Sequence, residues 1–130
     1  MERLKNRPVL LTGATGSIGS ATARLLASGG AHLYLTGRNR EKLGSLAREL
    51  QLPDQQWFAG DLTDEQVIQQ MAAQFREQGP APEILINAAG AARHNNFESM
   101  TAADWHQGMD AKYFPYIHIM QAVLPKMAER

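Results

Sequence analysis

Residues Leu10–Gly19, which read LLTGATGSIG, follow an apolar run and open a helical one. Gly13, Gly16 and Gly19 stand at three-residue steps between a predicted strand and a predicted helix. In a dinucleotide site the first glycine permits a tight turn, the second lets the backbone approach a phosphate, and the third lets the helix pack on the strand. The N-terminus of the helix also offers free N–H groups and the positive end of a dipole. The stretch therefore predicts a pyrophosphate site for a dinucleotide.

Ser17 stands where the N-cap of this helix is expected. Its hydroxyl can accept a hydrogen bond from the backbone of the first helical turn, which is the usual role of serine at such a position. The same hydroxyl can instead bond to a phosphate oxygen. The sequence favours capping and leaves phosphate binding as the alternative.

Apolar stretches that suit strands alternate with longer helical patterns along the chain, which is the rhythm of βαβ units. The predicted strands are Pro8–Leu11, Ala31–Thr36, Gln56–Ala59 and Glu83–Ile86. The predicted helices are Ser17–Ser28, Arg40–Leu50, a helix capped by Thr63 that runs to about Gln78, and a long helix from near Thr101 to Met127. The alternation predicts an α/β fold in which four parallel strands have helices on both faces.

The first predicted helix carries an apolar set on one face, formed by Ile18, Ala21, Leu25 and Leu26. We expect this face to pack on the sheet. The helix is predicted to end at Gly29-Gly30, because glycine is the usual residue just past a helix C-terminus.

Other local signals concern the last two helices. Two capping boxes are predicted, Thr63 with Gln66 and Thr101 with Asp104. Pro115 and Pro125 are predicted to interrupt the last helix. Because Pro115 cannot donate a backbone hydrogen bond, a kink is expected near Ala111.

Length and composition limit the classes of protein that this chain can belong to. A chain of 130 residues fits one modest domain, and its 13 basic and 13 acidic side chains give no overall attraction to nucleic acid or to anionic membranes. It has no cysteine, and its four histidines lack ligand-like spacing, so neither disulfides nor a metal site are predicted. No apolar run reaches the length of about 20 residues that spans a bilayer, and no secretory signal opens the chain. We expect a soluble cytoplasmic protein.

The end of the second strand indicates which dinucleotide is bound. An NAD site usually places an acid about 20 residues beyond the glycines, where it binds the ribose hydroxyls. Here Gly37 occupies that place and Arg38 follows it. A carboxylate repels a 2′-phosphate, whereas a guanidinium binds it with two hydrogen bonds. The pair favours NADP over NAD, with a solvated arginine after a turn as the alternative.

Two further segments follow strand ends, where ligands gather in parallel sheets. Asp61 follows the third strand and can accept a hydrogen bond from the adenine amino group; alternatively, it is a polar residue just ahead of a helix cap. After the fourth strand, the small residues Ala88, Ala89 and Gly90 let the backbone pass beside a flat ribose or nicotinamide ring. The amide of Asn87 can lock the fourth strand to its neighbour.

Arg93 and His94 lie in the loop that follows, at the predicted nicotinamide end. Polar surface residues are the usual content of such loops. A role in the surface loop is therefore favoured over contact with a substrate.

The ordered set of these motifs resembles the N-terminal half of a short-chain dehydrogenase/reductase, and the resemblance covers nearly the whole chain. The matching residues are Thr12–Gly19, Gly37-Arg38, Asp61-Leu62, Asn87–Gly90, and the run from Asp104-Trp105 to Leu124–Met127. The resemblance implies a Rossmann fold with strand order 3-2-1-4 and hydride transfer between a nicotinamide and a small carbonyl or alcohol substrate. It also implies a homo-oligomer in the complete protein.

The resemblance implies a set of coenzyme-binding residues drawn from all four strand ends. Arg38 is implied to select NADP, Asp61 to contact adenine, and Asn87 and Gly90 to support the nicotinamide side. The full set is Gly13, Thr15, Gly16, Ser17, Ile18, Gly19, Arg38, Asp61, Leu62, Asn87, Ala88, Ala89 and Gly90.

The chain departs from the family pattern in two positions. The glycine spacing TGxxGxxG places Ser17 where the shorter branch of the family has glycine, and resembles the extended, epimerase-like branch. Counting from Trp105 to Pro125 places Lys112 at the family's catalytic asparagine. A lysine cannot reproduce the combined donor and acceptor of an amide.

The third departure concerns the catalytic serine and the Tyr-x-x-x-Lys pair that the family places after the next strand. The residues four positions after Tyr34, Tyr113 and Tyr116 are Arg38, Ile117 and Met120, so no such pair occurs here. Residues 1–130 are therefore expected to be one NAD(P)-binding domain that is incomplete at its C-terminus and inactive alone.

The sequence is also compatible with two other functions. The chain can be a non-catalytic NADP-binding or interaction module that pairs through the exposed edge of its fourth strand. It can also be part of an enzyme of the extended, epimerase-like branch.

Overall fold

The computed structural model of the chain describes residues 2–90 and 96–129. Its strands are β1 (Pro8–Thr12), β2 (His32–Gly37), β3 (Trp57–Ala59) and β4 (Ile84–Asn87). Its helices are α1 (Ser17–Ser28), α2 (Arg40–Glu49), α3 (Glu65–Gln78), α4 (Ala102–Gly108) and α5 (Phe114–Ala128). Short 3₁₀ turns span Glu2–Leu4, Asp54–Gln56 and Phe97–Ser99. The alternation of strands and helices is as predicted, with boundaries that differ by one or two residues.

The four strands form one parallel sheet in the order β3-β2-β1-β4, which confirms the predicted topology. Leu10 of β1 pairs in register with Tyr34 of β2 on one side and with Leu85 of β4 on the other. β1 is therefore a central strand, and the loop that follows it opens at the middle of the sheet edge.

Side chains alternate between the two faces of the sheet, and helices cover both faces. Val9, Leu11, Leu33 and Leu35 point to one face and pack with the buried residues of α1 and α2. Leu10 and Tyr34 point to the other face, where the buried partners from α3 and α5 are Ile68, Met71, Phe75, Ile119 and Val123. The two apolar clusters make the doubly covered Rossmann-type sheet that the sequence predicts.

The buried face of α1 differs from the predicted one. Gly19, Ala23 and Leu26 are buried, whereas Ile18 is 77% exposed and Leu25 is 60% exposed. The reason is steric: a Cβ atom on Gly19 would overlap the carbonyl oxygen of Gly13. Because the helix turns Gly19 toward that backbone, its rotation is set by a glycine contact and not by its largest apolar residues.

The helix caps are in part as predicted. In the Thr101–Asp104 box, the Thr101 N–H donates to Asp104 Oδ2 at 2.9 Å and the Asp104 N–H donates to Thr101 Oγ1 at 3.2 Å, as expected. The predicted box of Thr63 with Gln66 is wrong. Asp64 caps α3, and its Oδ1 accepts the N–H of Gln66 at 2.9 Å. Thr63 and Asp64 are both good capping residues, and the backbone turns helical only after Asp64.

The long C-terminal helix is irregular around Ala111, the place where a kink was expected. A π-helical turn, Met109–Tyr113, separates α4 from α5, and Pro115 lies in the first turn of α5. A proline at this place needs no backbone N–H, which suits a helix start. Pro125, in contrast, lies within α5 and does not interrupt it. Among the helices in residues 2–90 and 96–129, none combines the length and apolar character needed to cross a membrane.

β4 is covered on both faces but lies at the edge of the sheet. Ile84 and Ile86 pack on the first cluster and Leu85 packs on the second. These residues are half-buried, because β1 is their only neighbouring strand among the described residues. Glu83, just before β4, forms an ion pair with Arg7, just before β1.

The contact between Gly19 and Gly13 predicts a sharp difference between two glycine substitutions. We expect Gly19→Ala to lower the free energy of unfolding by about 3 kcal/mol, because the methyl group overlaps backbone that cannot move independently. Gly108→Ala is the matched control, since no atom lies within 4 Å of its added Cβ. In that helical position alanine is expected to raise the free energy of unfolding by about 0.5 kcal/mol. Urea-induced unfolding measures both, and equal effects would contradict the steric account.

Candidate functional site

The loops that follow β1, β2, β3 and β4 meet at the carboxyl edge of the sheet and enclose a cleft of about 290 Å³. Parallel sheets place ligands at this edge, outside the carboxyl ends of their strands. The residues that line the cleft are Gly13, Thr15, Gly16, Thr36, Gly37, Arg38, Asn39, Lys42, Gly60, Asp61, Leu62, Thr63, Ala88, Ala89, Gly90, Ala111 and Pro115. Every strand end contributes to it, and the last two residues come from the π-turn and α5.

The loop after β1 and the loop after β4 are locked together at the centre of the cleft. Gly13 has a φ of 66°, and a Cβ atom there would overlap the backbone of Ala88 and Ala89. The buried hydroxyl of Thr12 accepts the N–H groups of Ala88 at 3.2 Å and Ala89 at 3.3 Å. It also donates to Asn87 Oδ1 at 3.3 Å, which is the link between neighbouring strands expected from the sequence. The floor of the cleft is therefore a backbone surface held by one threonine.

The N-terminus of α1 has no side-chain cap. Its N-cap residue is Gly16, so Ser17 is the first residue of the helix and the predicted capping role of Ser17 is wrong. The physical reason is that Gly16, in an extended conformation, already occupies the position before the first helical residue. In contrast, the side chains of Asn39, Asp64 and Thr101 cap α2, α3 and α4. Amide donors at the start of α1 are thus left for an anion.

Two basic side chains line the cleft beyond β2. Arg38 follows the strand directly, and Lys42 lies in the first turn of α2, where its N–H donates to Asn39 Oδ1 at 3.0 Å. Arg40, between them in sequence, lies elsewhere, with its guanidinium carbon 5.3 Å from the centre of a Trp57 ring. The cleft therefore receives two cations from this segment and not three.

Asp61 lines the same cleft from the loop after β3. Its Oδ1 accepts the N–H of Thr63 at 3.0 Å and the hydroxyl of Thr63 at 2.8 Å. These two hydrogen bonds lower the pKa of Asp61, and the positive charge of Arg38 lowers it further. The carboxylate is therefore ionised near neutral pH, and its Oδ2 is left for a donor from a ligand. The neighbouring Leu62 is buried in the second apolar cluster and anchors this loop.

The predicted coenzyme-binding residues divide into two groups by position. Those that line the cleft are Gly13, Thr15, Gly16, Arg38, Asp61, Leu62, Ala88, Ala89 and Gly90. Ser17, Ile18, Gly19 and Asn87 are not on its wall: Ser17 and Ile18 are exposed in the first turn of α1, while Gly19 and Asn87 hold the surrounding backbone. Lys112 is not on the wall either and lies beside Gly90.

Sequence reasoning missed several residues of the cleft wall, although two of them carried a signal. Lys42 is a cation in the first turn of a helix, where the dipole disfavours positive charge. Thr36 is a polar residue within an apolar strand; it is fully buried, and among the described residues its hydroxyl has no hydrogen-bond partner. No comparable sequence signal marks the other missed residues of the cleft wall, which are Asn39, Gly60, Thr63, Ala111 and Pro115.

Two further expectations concern other polar residues. Arg93 and His94 lie outside the described residues. Within the parts of the chain that are described, no group of three His, Asp or Glu side chains is placed to hold a metal ion.

Comparison with known proteins identifies relatives along the whole chain. The family model of short chain dehydrogenase matches residues 7–130. Sulfoacetaldehyde reductase 2 of Chromohalobacter salexigens is 36% identical over 123 residues, which are 93% of this chain and 49% of that protein. The chain thus spans about half the length of the curated relatives it matches.

Solved structures share the same fold. The oxidoreductase yciK from E. coli superposes with a TM-score of 0.88 at 28% identity, over 100% of this chain and 56% of that one. L-sorbose reductase from Gluconobacter frateurii, solved with NADPH and L-sorbose, gives a TM-score of 0.87 at 22% identity, over 98% of this chain and 49% of that one. At this identity the second likeness shows the fold alone.

The bonds from Thr63 to Asp61 predict the effect of removing one donor. We expect Thr63→Val to raise the pKa of Asp61 toward its ordinary value, because the hydroxyl that stabilises the carboxylate is lost while the backbone donor remains. An NMR pH titration of the side-chain carboxyl carbon measures this pKa. Thr22→Val is the control, since the Thr22 hydroxyl donates to the Ile18 carbonyl of α1 and to no acid. An unchanged Asp61 pKa in Thr63→Val would contradict this account of the carboxylate.

Proposed function

The chain belongs to the short-chain dehydrogenase family, and on that premise we propose that residues 1–130 form the NADP-binding part of an oxidoreductase. Members of the family use NAD or NADP. The observation that carries the proposal is the cleft at the sheet edge, which joins an uncapped helix N-terminus to two cations and one carboxylate. When bound, the coenzyme supplies the nicotinamide carbon that exchanges a hydride with a carbonyl or alcohol carbon.

The glycine loop and the start of α1 are proposed to hold the pyrophosphate. Gly13 and Gly16 line the cleft, and a Cβ on Gly16 would stand 3.5 Å from the Gly13 carbonyl oxygen, so the fold itself tolerates a side chain at residue 16. Close approach of a phosphate to the backbone is the remaining reason for a glycine there. The Ser17 hydroxyl, which does not cap α1, is free to join the N–H donors at this terminus.

Arg38 and Lys42 are proposed to bind the 2′-phosphate that distinguishes NADP from NAD. Gly37 stands where NAD sites carry an acid, so no carboxylate repels the phosphate at that place. A guanidinium and an ammonium on the same cleft wall match a dianionic group, and Arg38 can bind it with two parallel hydrogen bonds. The adenine amino group is then assigned to Asp61 Oδ2.

The backbone of Asn87–Gly90 is proposed to support the nicotinamide side. Ala88, Ala89 and Gly90 line the cleft with little side-chain bulk. Ile18, a large apolar residue that is 77% exposed beside the glycine loop, suits contact with the coenzyme. The unfavourable free energy of exposing this apolar side chain to water is reduced when a ligand covers it.

The acid–base part of the reaction is proposed to lie outside these residues. A tyrosine acid needs a nearby cation to lower its pKa, and no Tyr-x-x-x-Lys spacing occurs in this sequence. We therefore expect purified residues 1–130 to bind NADPH without reducing a carbonyl substrate, as followed by NADPH absorbance. Turnover that is well above the rate without protein would contradict this assignment.

Several broader features are proposed from the same family membership. The substrate is a small carbonyl or alcohol compound, in keeping with the aldehyde in the name of the reductase from Chromohalobacter salexigens. The complete protein is proposed to form a homo-oligomer, to act in the cytoplasm and to bind no nucleic acid. The equal numbers of basic and acidic side chains, 13 of each, support the last point.

The choice of NADP over NAD predicts a selective loss in an arginine variant. We expect Arg38→Ala to weaken NADPH binding by about tenfold to one-hundredfold and to leave NADH binding nearly unchanged, because a charged hydrogen bond to the 2′-phosphate contributes roughly 1.5–3 kcal/mol. Titration of nicotinamide fluorescence with each variant measures both affinities.

Arg40→Ala is the matched control for this measurement. It removes a cation two residues away that lies over Trp57 and not on the cleft wall, so both affinities are expected to stay near those of the unmodified chain. Equal loss of NADPH and NADH binding in Arg38→Ala would contradict the 2′-phosphate role.

A further inference from the structure

The π-helical turn places one end of the C-terminal helix against the cleft. Ala111, within this turn, and Pro115, in the first turn of α5, both line the cleft. Lys112 lies between them in sequence, beside the loop that follows β4. The turn therefore brings a lysine beside Gly90, the part of the cleft wall that the loop after β4 contributes.

The stem of Lys112 is packed and its position is defined. A Cβ atom on Gly90 would stand 3.1 Å from Cγ, 3.4 Å from Cδ and 3.5 Å from Cε of Lys112, so the stem runs across the face of that glycine. Gly90 has a φ of 141°, a conformation that other residues rarely adopt. One side of the methylene stem thus rests on the Gly90 backbone, while the side chain as a whole is exposed to solvent.

Tyr116 holds the same loop from the next turn of the helix. Its hydroxyl donates to the carbonyl oxygen of Ala89 at 2.5 Å. Burial raises the pKa of Tyr116, so the hydroxyl stays protonated and remains a donor. Ala89 is therefore joined to α5 by one hydrogen bond, and Gly90 contacts the π-turn through the stem of Lys112.

Lys112 is a solvent-exposed cation. Within residues 2–90 and 96–129, no ion pair involves Lys112. Asp110 is two positions away on the same helix, a spacing at which side chains do not face each other. The neighbouring wall of the cleft is made of small uncharged residues, Ala88, Ala89, Gly90, Ala111 and Pro115. A cation beside a wall of uncharged residues favours an anionic ligand.

We propose that Lys112 is a specificity-determining residue that binds the oxyanion of a short carbonyl substrate carrying a carboxylate, sulfonate or phosphate. This inference rests on the proposed function, in which the nicotinamide lies beside Ala88–Gly90. The coenzyme phosphates already have partners in that arrangement, at the start of α1 and at Arg38 and Lys42. The oxyanion that remains for Lys112 is the one on the substrate, and a lysine, which donates only, suits it better than an amide would.

Binding of a small sulfonate tests this assignment. The full chain is saturated with NADP⁺ and titrated with 2-hydroxyethanesulfonate, and in parallel with ethylene glycol as the uncharged counterpart, while NMR follows the amide of Gly90. We expect the sulfonate alone to shift this amide in a saturable manner. Lys112→Met, which keeps the stem and removes the charge, is expected to weaken sulfonate binding at least about tenfold. Lys112→Arg is expected to retain most of it.

Lys126→Met is the matched control, because Lys126 lies on the same helix and pairs with Glu129 away from the cleft. It is expected to bind the sulfonate as the unmodified chain does. The proposal is overturned if the chain does not bind the sulfonate, if Lys112→Met binds it equally well, or if Lys112→Met weakens NADP⁺ binding as much as sulfonate binding, which would assign the lysine to a coenzyme phosphate.

The affinity for NADP⁺ is measured in the same samples, so failure of the proposed function is seen separately. If NADP⁺ does not bind to any variant, the proposed function fails. The sulfonate titration is then carried out on the chain without coenzyme. A sulfonate-induced shift of the Gly90 amide that is lost in Lys112→Met still supports the role of the lysine. If no such shift occurs, the proposal is overturned.

Discussion

The contact on which the rest of the site depends is the one between the backbone of Gly13 and its neighbours on two sides. A side chain at Gly13 would overlap the Ala88–Ala89 backbone, and a side chain at Gly19 would overlap the Gly13 carbonyl. Three backbone segments therefore meet without any side chain between them. This arrangement sets the rotation of α1 and brings the loops after β1 and β4 together. Gly16, at the N-cap position, leaves the amide donors at the start of α1 without a side-chain cap beside the cleft. Packing and ligand chemistry are thus determined by Gly13, Gly16 and Gly19.

The charges of the cleft follow from local structure as much as from composition. Thr63 fixes Asp61 as a carboxylate, and Arg38 lies close enough to lower the pKa of Asp61 further. With Arg38 alone, the carboxylate would balance the guanidinium and leave little attraction for a phosphate. Lys42 adds a second cation to the same wall, so this end of the cleft keeps one net positive charge while Asp61 remains available to a hydrogen-bond donor. Arg40 contributes nothing to this balance because it lies over Trp57.

The fold was predictable because its signals are local and repeated: apolar strands, helical periods, and glycines at strand ends. The rotation of α1 about its axis was not predictable. Hydrophobic periodicity places large apolar residues such as Ile18 and Leu25 on the buried face and takes no account of a backbone contact at Gly19. Thr63 and Asp64 are equivalent as capping residues in sequence, and only the backbone path separates them. In the cleft, residues at strand ends were foreseeable, whereas Ala111 and Pro115 come from a helix more than 20 positions beyond β4. Contacts of that range depend on tertiary packing, which no single motif encodes.

The C-terminal helix connects the apolar core to the far end of the cleft. Ile119 and Val123 anchor α5 in the second apolar cluster. About one turn before Ile119, Pro115 forms part of the cleft wall and Tyr116 supports the loop after β4. The π-turn precedes Pro115, which cannot continue the preceding pattern of hydrogen bonds because it has no backbone N–H. A regular α-helix through this region would place residue 112 at a different angle to Gly90. The position of the Lys112 charge is therefore a consequence of the proline and of the core packing beyond it, and not of the residue's own sequence neighbourhood.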